Sequence, residues 1–209
     1  MKPVNDIVAT LRKGIAQLTH LEHPDAAADQ LNQYLQLLNQ WNQAYNLTAV
    51  RDIHEMVGRH VFDSLAVLPW IKGDFILDVG TGAGLPGIPL AIACPDRQFV
   101  LLDSNGKKTR FLQAVQHALK LENIEVVQAR VETYSSVRPF DTIVSRAFAQ
   151  IQTMIDATQH LLASDGVWVA MKGPNVMPEL LALTYPHRIE HYSVLGMTEE
   201  RCCVVINHK

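Results

Sequence analysis

The 209-residue chain contains no apolar run long enough to span a bilayer, so a membrane partner is not expected. Its first residues, Met1-Lys2-Pro3-Val4-Asn5-Asp6, lack the apolar core of a signal peptide, and a cytoplasmic protein is expected. Cysteine is scarce: Cys94, Cys202 and Cys203 make an odd count, and the last two are adjacent, too close for an ordinary disulfide. No C-x-x-C pairs with a second such motif, which argues against a zinc knuckle and for buried, reduced thiols. The nine histidines are scattered. His187 and His191 are four apart, but their segment reads as the entry to a strand, where that spacing does not converge two ligands. No metal site is expected. Positive charge is not in excess either. The net charge is −3 and the pI about 6.3, whereas a protein that coats naked RNA would be basic. A local RNA site is still compatible with this balance. Basic residues gather at Arg51, Arg59 and His60, and again at Lys107, Lys108 and Arg110, and either cluster can be an ordinary solvated face. Repeats and low-complexity segments are absent. No coiled-coil seam or long edge strand demands a partner, so a monomer is expected.

What is present is ordinary in amount, with 48% apolar residues, as in a globular protein. The length suggests one principal domain with an extension. The distinctive stretch is Phe75-Ile76-Leu77-Asp78-Val79-Gly80-Thr81-Gly82-Ala83-Gly84-Leu85-Pro86-Gly87. It opens as a short apolar run, read as a buried strand, with Asp78 at its end. A helix is expected from Leu85 to Ala93, with Pro86 and Pro89 tolerated in its first turn. Strand, glycine loop and helix is how an α/β sheet holds a nucleotide-like ligand at its carboxyl edge. Residues 82–87 formally match G-x-G-x-x-G, the dinucleotide fingerprint, a weak signal alone. The longer frame Asp78-x-Gly80-x-Gly82-x-Gly84 resembles the first motif of class I S-adenosylmethionine (SAM) methyltransferases. A pyrophosphate gains nothing from a carboxylate beside it. The ammonium and sulfonium of SAM do.

Upstream, Ile7, Val8, Leu11, Ile15 and Leu18 form a helical stripe over about 4–20. A second helix from near Asp25 carries Leu31, Tyr34, Leu35, Leu38, Trp41 and Tyr45. Asp52 is a candidate N-cap for a third helix, with Glu55 in capping-box position. About 70 helical residues thus precede the glycine loop, with no linker-like composition between. They are expected to form a helical extension (1–70) packed on the main domain (71–209). Downstream, strands are expected at Gln98–Asp103, Asn123–Ala129, Phe140–Ser145 and Val167–Met171, with helices at Lys107–Leu119 and Met154–Leu162. His187–Leu195 and Arg201–Ile206 read as two final strands. Alternating strands and helices imply a largely parallel sheet covered on both faces, here seven-stranded with an antiparallel hairpin at one edge.

Asp103 ends the second strand about twenty residues beyond the glycines, where a carboxylate can accept from both ribose hydroxyls. A strand-ending acid that caps the next helix is the plainer alternative. Val131-Glu132 follows the third strand, at the step that meets adenine in class I methyltransferases, or is simply a polar loop. Arg146 follows the fourth strand. The Asn/Asp-Pro-Pro-Tyr motif of amino methyltransferases is absent there, as is a cysteine nucleophile. An arginine offers a fork of donors, and the Hoogsteen edge of guanine presents two acceptors, N7 and O6. N7 is already nucleophilic, so transfer to it would rest on positioning. Arg146 as a plain salt-bridge residue remains open, and Lys172-Gly173 is a second candidate at the same edge.

Together these residues resemble the RsmG (GidB) family over nearly the whole chain. The resemblance rests on Trp41-Asn42-x-Ala44-Tyr45-Asn46-Leu47-Thr48, Arg59-His60-x-x-Asp63-Ser64, residues 78–89, Leu102-Asp103-Ser104, Arg130-Val131-Glu132, Ser145-Arg146-Ala147 and Lys172-Gly173. Ala83 departs from the proline common at its position. The resemblance implies a class I SAM-dependent methyltransferase that modifies guanine N7 in the decoding-centre loop of 16S ribosomal RNA, within the small subunit. It implies cofactor contacts at Gly80, Leu85, Val131, Glu132 and Arg146, joined by Gly82, Gly84 and Asp103 from the reasoning above. Asn46, Arg59, His60 and Lys172 become candidates for the RNA-facing side. Two alternatives stand beside it: a non-catalytic SAM- or RNA-binding module, and an NAD-dependent oxidoreductase. The latter lacks a His/Asp or Tyr/Lys pair at a recognisable spacing.

Overall fold

The computed structural model describes residues 4–17, 23–146, 148, 150–181 and 183–208, with the side chains of Val4 and Asn5 excepted. Leu18, Ala147 and Ala149 lie outside these residues.

Helix α1 (Val4–Ile15) presents Ile7, Leu11 and Ile15 to the core. Helix α2 (Pro24–Tyr45) buries Leu31, Tyr34, Leu35 and Leu38 on one stripe, and the two helices pack together. Its end explains the Trp41–Thr48 motif. Asn46 takes the left-handed conformation, φ 52°, and its N–H returns to Asn42 O, a helix stop that asparagine tolerates. The buried Asn42 side chain then staples the exit, accepting from Thr48 N–H at 2.9 Å and donating to Val50 O at 3.0 Å. Asp52 caps α3 (Ile53–Met56) by accepting from His54 N–H. Glu55 faces Arg59 at 3.9 Å. The chain continues through a π-helical turn, Val57–Phe62, into α4 (Asp63–Leu65).

Seven strands follow: β1 (Phe75–Val79), β2 (Gln98–Asp103), β3 (Ile124–Gln128), β4 (Phe140–Ser145), β5 (Leu162–Lys172), β6 (His187–Tyr192) and β7 (Arg201–Asn207). They form one sheet in the order β3-β2-β1-β4-β5-β7-β6. The first five pair in parallel, and β7 runs antiparallel to both β5 and β6. Strand β5 starts earlier than its apolar run suggests, because Leu162 pairs Phe140 before a bulge resets the register to Thr142 and Val167. Helices α5 (Gly87–Ala93) and α6 (Gly106–Leu119), with α1 and α2, share one apolar layer with Ile76, Phe99 and Leu101. Helix α7 (Ile151–Thr158) and the short α8 (Met177–Leu180) share the opposite layer with Leu77, Val100 and Trp168. The alternation of β1 and β2 residues between the layers is the period-two signature of a strand buried on both faces.

Strand order reverses between β1 and β4, the crevice where open α/β sheets take their ligands. Ser145 at the end of β4 donates to Val79 O at 2.9 Å, fixing the two strand ends together. Helix α5 begins at Gly87 and not at Leu85, because the Asp78 carboxylate takes the Gly87 N–H at 2.8 Å as the first helical donor. A Cβ on Gly87 would sit 2.7 Å from Asp78 Oδ2 and collide with Leu101 Cδ2. Gly87→Ala should therefore destabilise the fold by about 1–3 kcal/mol, the usual cost of overpacking, read as a lower urea midpoint at unchanged m-value.

Candidate functional site

The glycine loop is built around Asp78, which is fully buried. Its Oδ2 accepts from Thr81 Oγ1 at 2.6 Å and from Gly87 N–H at 2.8 Å. Gly80, Gly82 and Gly84 all have positive φ, which side chains rarely adopt. Burial pushes the Asp78 carboxyl up to about 6, against the two hydrogen bonds and the Arg146 charge, which favour the ionised form. Its other oxygen, Oδ1, is the one buried side-chain polar atom without a hydrogen-bond partner among the described residues. Helix α2 reaches the same loop: the Tyr34 hydroxyl donates to Ala83 O at 2.8 Å. Burial raises the Tyr34 pKa, so the hydroxyl keeps its proton for that bond.

Beside the loop lies a cavity of about 380 Å³. Gly80, Asp103, Val131 and Glu132 line it, with Lys108 and Phe148. A Cβ built on Gly80 meets nothing within 4 Å, so this stretch of backbone faces open space. Asp103 Oδ2 accepts from Gly82 N–H at 2.9 Å and Lys108 Nζ at 3.3 Å, while Oδ1 accepts from Asn105 N–H at 2.8 Å. The cap of α6 is Asn105 and not Asp103. Asp103 is thus held at the cavity wall, with coordination room left on Oδ1. Volume, bare glycine backbone and a carboxylate at ribose position fit a nucleoside; the orphan Asp78 oxygen is buried beneath the loop and does not line the cavity. Gly82 and Gly84 shape the loop but do not line the cavity, and the Leu85 side chain packs into the core.

Arg146 stands apart from that cavity. Its Nη1 donates to Arg59 O at 3.0 Å and lies 3.5 Å from His60 Nδ1 and 3.7 Å from Asp63 Oδ2. It lines a second cavity of about 310 Å³ with Asp63, Lys172, Tyr192 and Arg201. His60, expected on the RNA-facing side, is instead buried, at 4% exposure. Its Nε2 meets Thr48 Oγ1 at 2.8 Å. An arginine can only donate, so Nδ1 accepts there and the proton of the neutral ring belongs on Nε2. Burial first, then the Arg146 charge, lowers the His60 pKa to about 4. Lys172 is also mostly buried, 2.8 Å from Glu179. Arg59 and Asn46 are exposed, Arg59 paired with Glu199 at 3.0 Å and Asn46 with Arg51 at 2.6 Å. Sequence reasoning missed Tyr34, Lys108, Phe148 and Arg201. It quoted Asp63 only as part of a motif.

A glycine loop at the β1/β4 switch point of a sheet with this strand order defines a class I SAM-dependent methyltransferase. Two solved structures share the fold: a precorrin-6y C5,15-methyltransferase from Geobacter metallireducens and a SAM-dependent methyltransferase from Aquifex aeolicus. The first is 15% identical at a TM-score of 0.55, covering 79% of this chain and 93% of the other. The second is 17% identical at 0.53, covering 70% and 89%. A curated relative, the ribosomal RNA small subunit methyltransferase G of Legionella pneumophila (strain Philadelphia 1), is 56% identical over 202 residues, covering 97% of this chain and 95% of the relative. Residues 27–201 match the model of the GidB family, described as rRNA small subunit methyltransferase G. The chain belongs to that family.

The His60 ring gives a pH test. Its folded pKa lies below its unfolded value, so its contribution is present above about 6.5 and is lost as pH falls toward about 4. Asp78, whose carboxyl is raised to about 6, shifts stability the other way over much of that window. The readout is therefore the difference between wild type and His60→Gln: the wild-type urea midpoint should fall relative to the variant's as pH drops from about 6.5 toward about 4.

Proposed function

We infer that the chain is a SAM-dependent methyltransferase that acts on N7 of a guanine in the decoding-centre loop of 16S ribosomal RNA, within the small subunit. Its family relatives and their names support the RNA substrate. The observation that carries the reading is the junction of β1 and β4. There the Ser145–Val79 contact brings the Gly80–Asp103 cavity and the Arg146 guanidinium to one edge of the sheet.

When bound, SAM supplies an electrophilic methyl group on a sulfonium. Asp103 receives the ribose hydroxyls, and Val131 and Glu132 form the adenine wall. The open backbone at Gly80 admits the methionine end. Gly82, Gly84 and Leu85 act by fixing the loop that carries these contacts. Asp78 holds that loop and sets a buried negative charge beneath it, which favours an ammonium above. Guanine N7 needs no general base, because its lone pair lies free in the ring plane. The protein's task is therefore alignment, for which effective molarities are large. Among the described residues, Arg146 has Nε and Nη2 uncommitted, donors suited to guanine O6 while N7 stays open to the methyl group. Arg59 and Asn46 meet the RNA at the exposed rim. His60 and Lys172 support that side from beneath. We take 1–70 as a helical extension and 71–209 as the catalytic domain, joined among the described residues by the packing of α2 on α5 and α6 and by the Tyr34–Ala83 bond. The protein works in the cytoplasm as a monomer. No helix among the described residues is long and apolar enough to cross a membrane.

Labelled methyl from SAM, offered with small subunits from a strain lacking this gene, should appear on a single guanine N7. Absence of label with SAM still bound would favour a non-catalytic module. Asp103→Ala should weaken SAM binding at least tenfold by calorimetry, and should lower the melting temperature, because Gly82 N–H and Asn105 N–H lose their acceptor. Unchanged SAM affinity in the folded variant would remove Asp103 from the ribose site. Arg146→Ala should abolish most transfer while SAM still binds, and full activity in that variant would remove Arg146 from the site.

A further inference from the structure

Asp63 ends the π-helical turn and is buried, its side chain only 1% exposed. Arg201, arriving from β7, grips it with two arms, Nε on Oδ1 at 3.1 Å and Nη2 on Oδ2 at 3.0 Å. Arg146 Nη1 lies 3.7 Å from Oδ2, and the Tyr192 hydroxyl donates to Oδ1 at 3.4 Å. One carboxylate therefore serves two guanidiniums. Lys172 pairs with Glu179, and Arg59 with both Glu199 and Glu55; Glu199 is also within electrostatic reach of Arg201, but neither Glu199 nor Glu55 lines this cavity. Asp78 is within electrostatic reach of Arg146 but does not line this cavity. The side chains that line the cavity themselves carry three positive charges, Arg146, Lys172 and Arg201, against the one negative charge of Asp63.

The donors are in surplus as well. A guanidinium has five N–H groups. Among the described residues, Arg201 Nη1 makes no hydrogen bond, and neither do Arg146 Nε and Nη2. The carboxylate that could accept from a ligand is already occupied on both oxygens. A guanine base would bring its own donors, N1–H and the 2-amino group, and would leave them unmatched here. A phosphate brings only acceptors, and the arginine fork suits it.

We propose that this second cavity holds a backbone phosphate of the substrate RNA, gripped by Arg201, with Asp63 as the positioning residue that fixes its guanidinium and that of Arg146, whose own free donors are left for the acceptor base. The proposal rests on the RNA methyltransferase reading and deepens it. Phosphate contacts set register and carry no sequence information. This one would hold the strand in place while the acceptor base turns toward the cofactor cavity. Asp63 does not touch the RNA. It prevents two like charges from separating into solvent.

The test is methyl transfer to small-subunit RNA across a salt series, with SAM affinity measured in parallel. Arg201→Gln should raise the KM for RNA about tenfold, with a smaller change in kcat and unchanged SAM affinity. The slope of log affinity against log salt should shrink by about 0.7–1, the loss of one phosphate contact. Arg201→Lys keeps the charge and the pairing with Asp63 but loses the second arm. It should raise the KM while keeping the slope, and it serves if the glutamine variant does not fold. Asp63→Asn leaves both cations unfixed and should also raise the KM without reducing the slope. An unchanged KM and slope in Arg201→Gln, or a wild-type KM in Arg201→Lys, overturns the subsite and leaves the methyltransferase reading intact. Wild-type protein that transfers no methyl to the RNA defeats that reading and the subsite with it.

Discussion

The site depends on one buried carboxylate. Asp78 accepts from Thr81 at the start of the glycine loop and from Gly87 at its end, with the same oxygen. A loop of glycines has little reason to hold one shape, since glycine loses more conformational freedom on folding than any other residue. Two charge-assisted hydrogen bonds to a fixed point on β1 supply that reason. Burying the carboxylate is costly, which is why its pKa moves up to about 6. Arg146 offsets part of that cost from the next strand. Loop, strand ends and arginine are therefore one electrostatic unit.

The helical residues before the sheet extend that unit. Tyr34 closes the loop from below through Ala83 O, and the π-helical turn delivers His60 and Asp63 to the same arginine nitrogen, Arg146 Nη1. His60 is kept neutral between Thr48 and Arg146, so it adds no charge to a crowded cationic edge. Asp63 supplies the one negative charge that lets Arg146 and Arg201 stand close. The division of labour follows: one cavity is walled by glycine backbone and a carboxylate, and the other by guanidinium donors.

Much of the fold was legible in the sequence. Short apolar runs ending in Asp78, Asp103 and Ser145 are fully buried parallel strands, and the two closing runs form the antiparallel edge expected of them. Gly80, Asp103, Val131 and Glu132 share a cavity as their positions after successive strands implied. Burial was harder to read. His60 and Arg59 are neighbours in one motif, yet one is sealed in and the other exposed, because a π turn alters which positions face the core. Tyr34 looked like one more apolar-stripe residue, and its hydroxyl partner lies 49 residues away. Arg201 gave no signal, since its partner Asp63 is 138 residues distant. Pairings of that range are set by strand order, which periodicity does not encode.

The most direct measurement is a crystal structure of the protein with S-adenosylhomocysteine, which keeps the ribose, adenine and ammonium of the cofactor. The account predicts both ribose hydroxyls on Asp103, adenine against Val131 and Glu132, and the amino-acid end over Gly80 with the glycine loop unmoved. A ligand seated in the arginine-lined cavity beside Asp63, or a loop that has released Asp78 to receive it, would contradict the account.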